Sequence, residues 1–234
     1  MMIVLGGTIA ATSVAFRLHE VRRVLAIIRF AFQKPKFVLH EIVRDIIDLA
    51  KKQKEGGPNV LGGELSNIKY PFLQDGVTFI TQGRKLEEMR SILEQREGFR
   101  YKREQHEADL MKTMGTYAPA FGMLGTVMGL IVMMNNFSGG NSADVSSMDF
   151  DVAQKFSQLL GGMGLALITT FYGVLLSNLV FLPIGGKLTR KSQEEMMLKS
   201  IVVEGIISIH SKEHPILMRE KLMTFVPQSS RQDD

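Results

Sequence analysis

Two patterns alternate along this chain. In one, apolar residues run on without interruption; in the other, they recur every three or four positions among charged residues. Thr113–Ala143 and Phe156–Gly186 are of the first kind, each 31 residues long with no charged side chain. A bilayer-crossing helix needs about 20 apolar residues, so both stretches are predicted to span. Met1–Phe16 is a shorter apolar run. No basic residue precedes it, and Arg17, Arg22 and Arg23 follow at once, the reverse of signal-peptide polarity. It is predicted to be the last two-thirds of a further membrane helix.

The second pattern predicts helices throughout the remaining chain. Val21–Phe32 reads as one basic amphipathic helix ended by Pro35. Phe37–Lys54 carries apolar residues at 38, 39, 42, 43, 46, 47, 49 and 50, which is helical spacing. Gly56-Gly57-Pro58 predicts a break that Gly62-Gly63 extends, with a new turn over Glu64–Ile68. Tyr70–Thr81 is a short helix entered through Pro71. Arg84–Lys112 holds 15 charged residues in 29 and reads as a solvated helix running directly into the apolar stretch at Thr113. In the tail, Leu188–Phe225, an apolar side forms from Ile201, Val202, Ile206, Ile207 and Ile209, and Gln228–Asp234 reads as disordered. No strand pattern competes. The fold class is all-α: membrane helices with a large helical cytoplasmic domain.

Charge orients these spans, because Lys and Arg collect at cytoplasmic membrane ends. Arg17, Arg22, Arg23 and Arg29 follow the first run, Arg100, Lys102, Arg103 and Lys112 precede the second, and Lys187, Arg190, Lys191 and Lys199 follow the third. The connector Asp144–Lys155 has three Asp and one Lys. The predicted division is therefore a partial membrane helix over 1–16, a cytoplasmic helical domain over 17–112, and a membrane helix over 113–137. A periplasmic connector over 138–155, a membrane helix over 156–186 and a cytoplasmic helix and tail over 187–234 complete it. Met1 then lies outside with part of a helix, which predicts a further membrane helix upstream of this sequence.

Composition narrows the function. The 234 residues are 45% hydrophobic, yet mean hydropathy is only +0.07, so apolar and charged residues are segregated rather than mixed. With no Cys, a disulfide framework and a thiolate metal site are both excluded. His19, His40, His106, His210 and His214 are scattered, and no pair has convincing metal-ligand spacing. The net charge of +4 is spread among mixed loop charges, so no nucleic-acid-binding face is predicted. Walker A, GxSxG and HExxH motifs are missing, and the GGxG at Gly161–Gly164 lies in an apolar stretch rather than after a strand. An enzyme is not expected, nor is a cofactor.

The apolar stretches carry a short list of special residues. Pro119 and Pro183 lie near the cytoplasmic ends of the second and third spans, where each removes a backbone donor. Their positions predict similar depth on neighbouring antiparallel helices. Gly122, Gly125 and Gly129 share one face and allow close packing. Thr126 is two turns from Pro119; Thr169 and Thr170 are mid-span; Ser177 is two turns beyond Thr170, beside Asn178. Hydroxyl and carbonyl oxygens can replace water around a cation such as Na⁺, but a buried cation also needs an acidic partner. Neither span has one, so a carboxylate must come from another subunit.

The runs IVLGGT (Ile3–Thr8), APAFGMLGTVMGL (Ala118–Leu130) and ITTFYGVLLSNLVFLPIGGKL (Ile168–Leu188) resemble the flagellar motor stator A subunit of the MotA/PomA type, in the MotA/TolQ/ExbB superfamily. The resemblance covers essentially the whole chain from that family's second membrane helix, so the family's first helix is expected upstream. It implies an ion-conducting stator subunit in the bacterial inner membrane, transporting Na⁺ or H⁺. Five A subunits would surround two MotB/PomB-type B subunits that supply the essential Asp, and the cytoplasmic part would push the rotor protein FliG. Pro119 and Pro183 match the family prolines tied to torque. Thr126 and Thr170 match positions where sodium-driven members carry Thr, and Thr169 joins them in the expected ion path. Lys52, Lys54 and Glu64 are the candidates for the family's rotor-facing charges, although Pro58, Gly62 and Gly63 depart from its usual run between them. The alternative is an ExbB/TolQ-type energiser working with a TonB-type partner, whose topology of one helix, a cytoplasmic segment and two helices also fits.

Overall fold

The computed structural model describes residues 2–33, 39–138 and 148–225, all helical or connecting. The chain forms two compact units, Met1–Phe32 with Gln105–Thr189 and Gln33–Glu104 with Arg190–Asp234. The predicted stop at Pro35, the middle of the connector and the tail at 228–234 lie outside the described residues.

The first unit contains the apolar runs. α1 is Met2–Ala15, followed by α2, Leu18–Arg22, and α3, Val24–Ala31. The single helix expected over Val21–Phe32 is thus divided at Arg23, whose N–H bonds back only three residues to Glu20 O. Such tight turns are common at helix ends, and an apolar periodicity that continues on either side does not reveal one. α7, Leu86–Ser138, is continuous through Lys112 and Thr113, as predicted. α8, Met148–Leu175, begins inside the expected connector. Between Met148 and Leu160 there is no Gly or Pro to stop a helix from extending backwards out of the apolar stretch. A π-helical turn, Leu176–Phe181, joins α8 to α9, Leu182–His210. The expected boundary at Lys187 is therefore a change of composition within one helix.

The second unit is built on α4 (Leu39–Gly56), α5 (Pro58–Glu64), α6 (Pro71–Thr81), the first part of α7, the second part of α9 and α10 (Pro215–Met223). Gly62-Gly63 does not extend a break: both residues lie within α5. Gly57 supplies the turn, with φ of 72°, a conformation that favours glycine. Pro58 then starts the helix at its most tolerant position, and Leu61, fully buried, anchors it. The core gathers Ile42, Ile46, Leu73, Val77, Met89, Leu93, Ile201 and Ile206. Gly205 lets α9 approach Ile46 on α4, where a Cβ would lie 2.7 Å from Ile46 Cγ2. α7 is not solvated all round here, since Met89, Leu93 and Glu97 are buried. Lys199 meets Glu97 at 2.9 Å, and Arg100 reaches Glu195 and Glu104, each at 2.8 Å.

Candidate functional site

In the first unit, α7 and α8 pack as an antiparallel pair on their glycines. A Cβ on Gly129 would lie 3.0 Å from Ala166 Cβ, and one on Gly125 would lie 2.7 Å from Thr169 Oγ1. One on Gly122 would lie 3.1 Å from Thr169 O, and one on Gly173 would lie 2.7 Å from Ala118 O. The shared Gly face predicted over 122, 125 and 129 is thus the seam, with Gly173 as its counterpart on α8. Small residues let two backbones meet where lipid supplies no hydrophobic drive for helix association.

The hydroxyls line this seam. Thr170 Oγ1 donates to Gly122 O across the helices at 3.2 Å. Thr169 Oγ1 lies 3.2 Å from the same carbonyl but 2.7 Å from Ala166 O in its own helix. A hydroxyl has one proton, so the shorter contact takes it and Thr170 is the inter-helix donor. Thr126 gives its proton to Met123 O at 2.6 Å. All three are half-buried. Each uses its proton on a backbone carbonyl and keeps oxygen lone pairs available to a cation. Thr126 adjoins Gly125, which faces Thr169, so the hydroxyls of the two helices lie at comparable depth.

The prolines are not level. Pro119 adjoins Ala118, which faces Gly173, whereas Pro183 lies some ten residues further along the second helix. At 1.5 Å per residue that separation is about 15 Å. The expectation of similar depth compared distances from the apolar ends, and the register of the two helices offsets those ends: Gly185 faces Ala108 and Lys112, and Gly115 faces Phe181 and Leu182. Pro183 sits in the first turn of α9, directly after the π-helical turn.

Two features of this unit were not anticipated. Thr8 and Thr12 on α1 are buried and bond back to Val4 O and Thr8 O at 2.6 and 2.7 Å. Near its charged end, Glu20 meets His106 at 3.1 Å and Arg23 meets Glu107 at 3.7 Å. The alternation of Thr8 with Thr12, four apart on one helix face, was the available signal for the first; the second depends on tertiary packing.

Lys52 and Glu64, expected as separate charges flanking a loop, are joined. Lys52 Nζ lies 2.8 Å from Glu64 Oε1, across the turn at Gly57, and Asn67 donates to Glu64 Oε2 at 3.1 Å. Hydrogen bonds from Lys52 and Asn67 hold the Glu64 carboxyl below its usual range. Lys54 is exposed in the last turn of α4.

Residues 64–200 match the sequence profile of the MotA/TolQ/ExbB proton channel family. Motility protein A of Borreliella burgdorferi is 30% identical over 225 residues, covering 96% of this chain and 80% of that protein. The chain belongs to the MotA/TolQ/ExbB proton channel family. Within this family the similarity extends to chemotaxis protein PomA of Vibrio alginolyticus, 25% identical over 231 residues, with 99% of this chain and 84% of PomA covered. The fold matches the flagellar MotAB stator complex from Bacillus subtilis with a TM-score of 0.83 at 26% identity, covering 98% of this chain and 84% of that one. A MotAB structure from C. jejuni shares the fold, with a TM-score of 0.84 at 19% identity and 100% and 84% coverage. The chain is a membrane protein and a flagellar stator ion-channel subunit, not an enzyme. Its motility relatives decide between the stator and the ExbB/TolQ-type energiser in favour of the stator.

Proposed function

We propose that this subunit couples Na⁺ flow to torque. The observation that carries the reading is the seam itself: three hydroxyls at comparable depth, each with its proton committed to a carbonyl, in two apolar stretches, 113–143 and 156–186, without a charged side chain. Such a wall can replace part of a cation's water shell but cannot neutralise its charge. A MotB/PomB-type partner supplies the carboxylate, an Asp on its own membrane helix, and Thr126, Thr169 and Thr170 face the ion as it passes. The working assembly is a homo-oligomer, five copies around two B subunits, in the bacterial inner membrane. Residues 17–112 and 187–234 are cytoplasmic, and the segment between the two long helices is periplasmic.

Pro119 and Pro183 are the points at which ion passage becomes helix bending. Lys52, Lys54 and Glu64 face FliG, with the Lys52–Glu64 pair fixing two of the three charges relative to each other. Swimming cells distinguish the ion. Removal of Na⁺ is expected to stop the motor, and a protonophore with Na⁺ present is expected to leave it turning. Unchanged speed without Na⁺, with collapse under the protonophore, refutes the sodium assignment.

A further inference from the structure

Pro119 lies within the continuous helix α7 and has no N–H to give. In an α-helix the donor at residue 119 would bond the carbonyl of residue 115, so Gly115 O lacks its helical partner. Gly115 is buried, and a buried carbonyl left without a donor is costly. The Ser177 hydroxyl fills the position: it donates to Gly115 O at 2.6 Å from the facing helix, and Ser177 is only 2% exposed. A Ser within a helix commonly bonds back to its own turn, as Thr126, Thr169 and Thr189 do here. Ser177 instead reaches across.

Ser177 is also part of the second irregularity. It lies in the π-helical turn before Pro183, and its carbonyl accepts the Leu182 N–H, five residues on rather than four. A widened turn opens the helix where the Pro183 ring would otherwise meet the carbonyl four residues back. One residue therefore gives its hydroxyl to the carbonyl freed by Pro119 and its carbonyl to the turn that accommodates Pro183. We propose that Ser177 is a positioning residue that couples the two prolines, so that a change of bend at Pro119 alters the turn before Pro183. This rests on the reading of both prolines as torque-linked.

The test uses the full chain assembled with its B-type partner. Ser177→Ala is expected to lower the apparent melting midpoint by about 3–6 °C. It also lowers maximal rotation speed at saturating ion and leaves the half-saturating ion concentration unchanged. Ser177→Thr keeps the hydroxyl and restores both, whereas Ser177→Val, of matching volume, does not. In a Pro119→Ala background the new N–H bonds Gly115 O, so adding Ser177→Ala should lower the midpoint by less than half as much as it does alone. An equal drop in both backgrounds, or Val performing as well as Thr, overturns the coupling. Wild-type swimming by Pro119→Ala alone would instead overturn the torque reading of Pro119, with the coupling still measured by the midpoints.

Discussion

Replacing Gly173 by Ala adds one methyl group where α7 and α8 touch backbone to backbone. The new Cβ would stand 2.7 Å from Ala118 O and 3.0 Å from Gly122 Cα. Neither neighbour is the end of a flexible side chain, so the helices themselves must part. Overpacking of this kind costs about 1–3 kcal/mol, from which the better helix propensity of Ala recovers about 1 kcal/mol. A second cost follows from the same movement. The Thr170 bond to Gly122 O is already 3.2 Å long, and a further separation of about 0.5 Å takes it beyond hydrogen-bond range. That loss adds about 1 kcal/mol, and more if the carbonyl finds no other donor. The net expected cost is about 2 kcal/mol. Thermal unfolding of the purified assembly measures it, with Gly98→Ala as the control: a Cβ there meets nothing within 4 Å, so only the propensity gain of up to about 1 kcal/mol should appear. Gly173→Ala unfolding at or above the wild-type midpoint, with motility intact, would refute the seam geometry.

Two further predictions concern the second unit. Lys199→Met leaves Glu97 buried without its cation and should cost about 3–5 kcal/mol, most of it recovered by adding Glu97→Leu; denaturation of the single and double variants checks this, and an unchanged single variant would contradict the buried pair. Burial, followed by the charge of Glu97, pushes the Tyr70 hydroxyl up to about 12 from 10.0. Folding thus favours the protonated phenol, and its contribution of about 2–3 kcal/mol is complete below pH 10 and lost as pH rises towards 12. Tyr70→Phe should flatten that part of the alkaline stability profile, and an identical slope in both proteins would exclude Tyr70 as its source.

The helices were legible where one physical signal dominated. The spacing at 42, 43, 46, 47, 49 and 50 gave α4, and the absence of any stop near Thr113 gave the continuity of α7. The glycines at 122, 125 and 129 gave the seam because small residues on one helix face have few other uses. Local signals failed where tertiary contacts outweighed them. Gly62-Gly63 costs a helix about 2 kcal/mol in propensity, yet burial of Leu61 and the preorganised Gly57-Pro58 start hold α5 together. The relative depth of Pro119 and Pro183 needed the register between two helices. So did the role of Ser177, since nothing in its neighbours shows which carbonyl it will meet. The pairing of Lys52 with Glu64 depended on that unexpected helix, which brings back a residue twelve positions away.

The first unit has its own apolar core around Met111, Phe181 and Ile184, but its α7–α8 seam is held by other means than the core of the second, and the difference bears on where motion can occur. The second has an aliphatic core, with Ile46, Leu73 and Ile206 fully buried, and a buried ion pair that is costly to break. In the first, the seam between α7 and α8 rests on close backbone approach and a few hydroxyl-to-carbonyl bonds. Each such bond is worth about 1 kcal/mol, and Pro119 has already removed one donor from the regular ladder. A carbonyl served by a side chain across the seam can exchange that partner at a smaller cost than one held in an intact helical ladder, because the neighbouring bonds need not break with it. The bend that the proposed torque role of the prolines requires is therefore best sought at Gly115, Pro119 and Ser177. Stiffening that point with Pro119→Ala should reduce motion without removing any group that faces the ion.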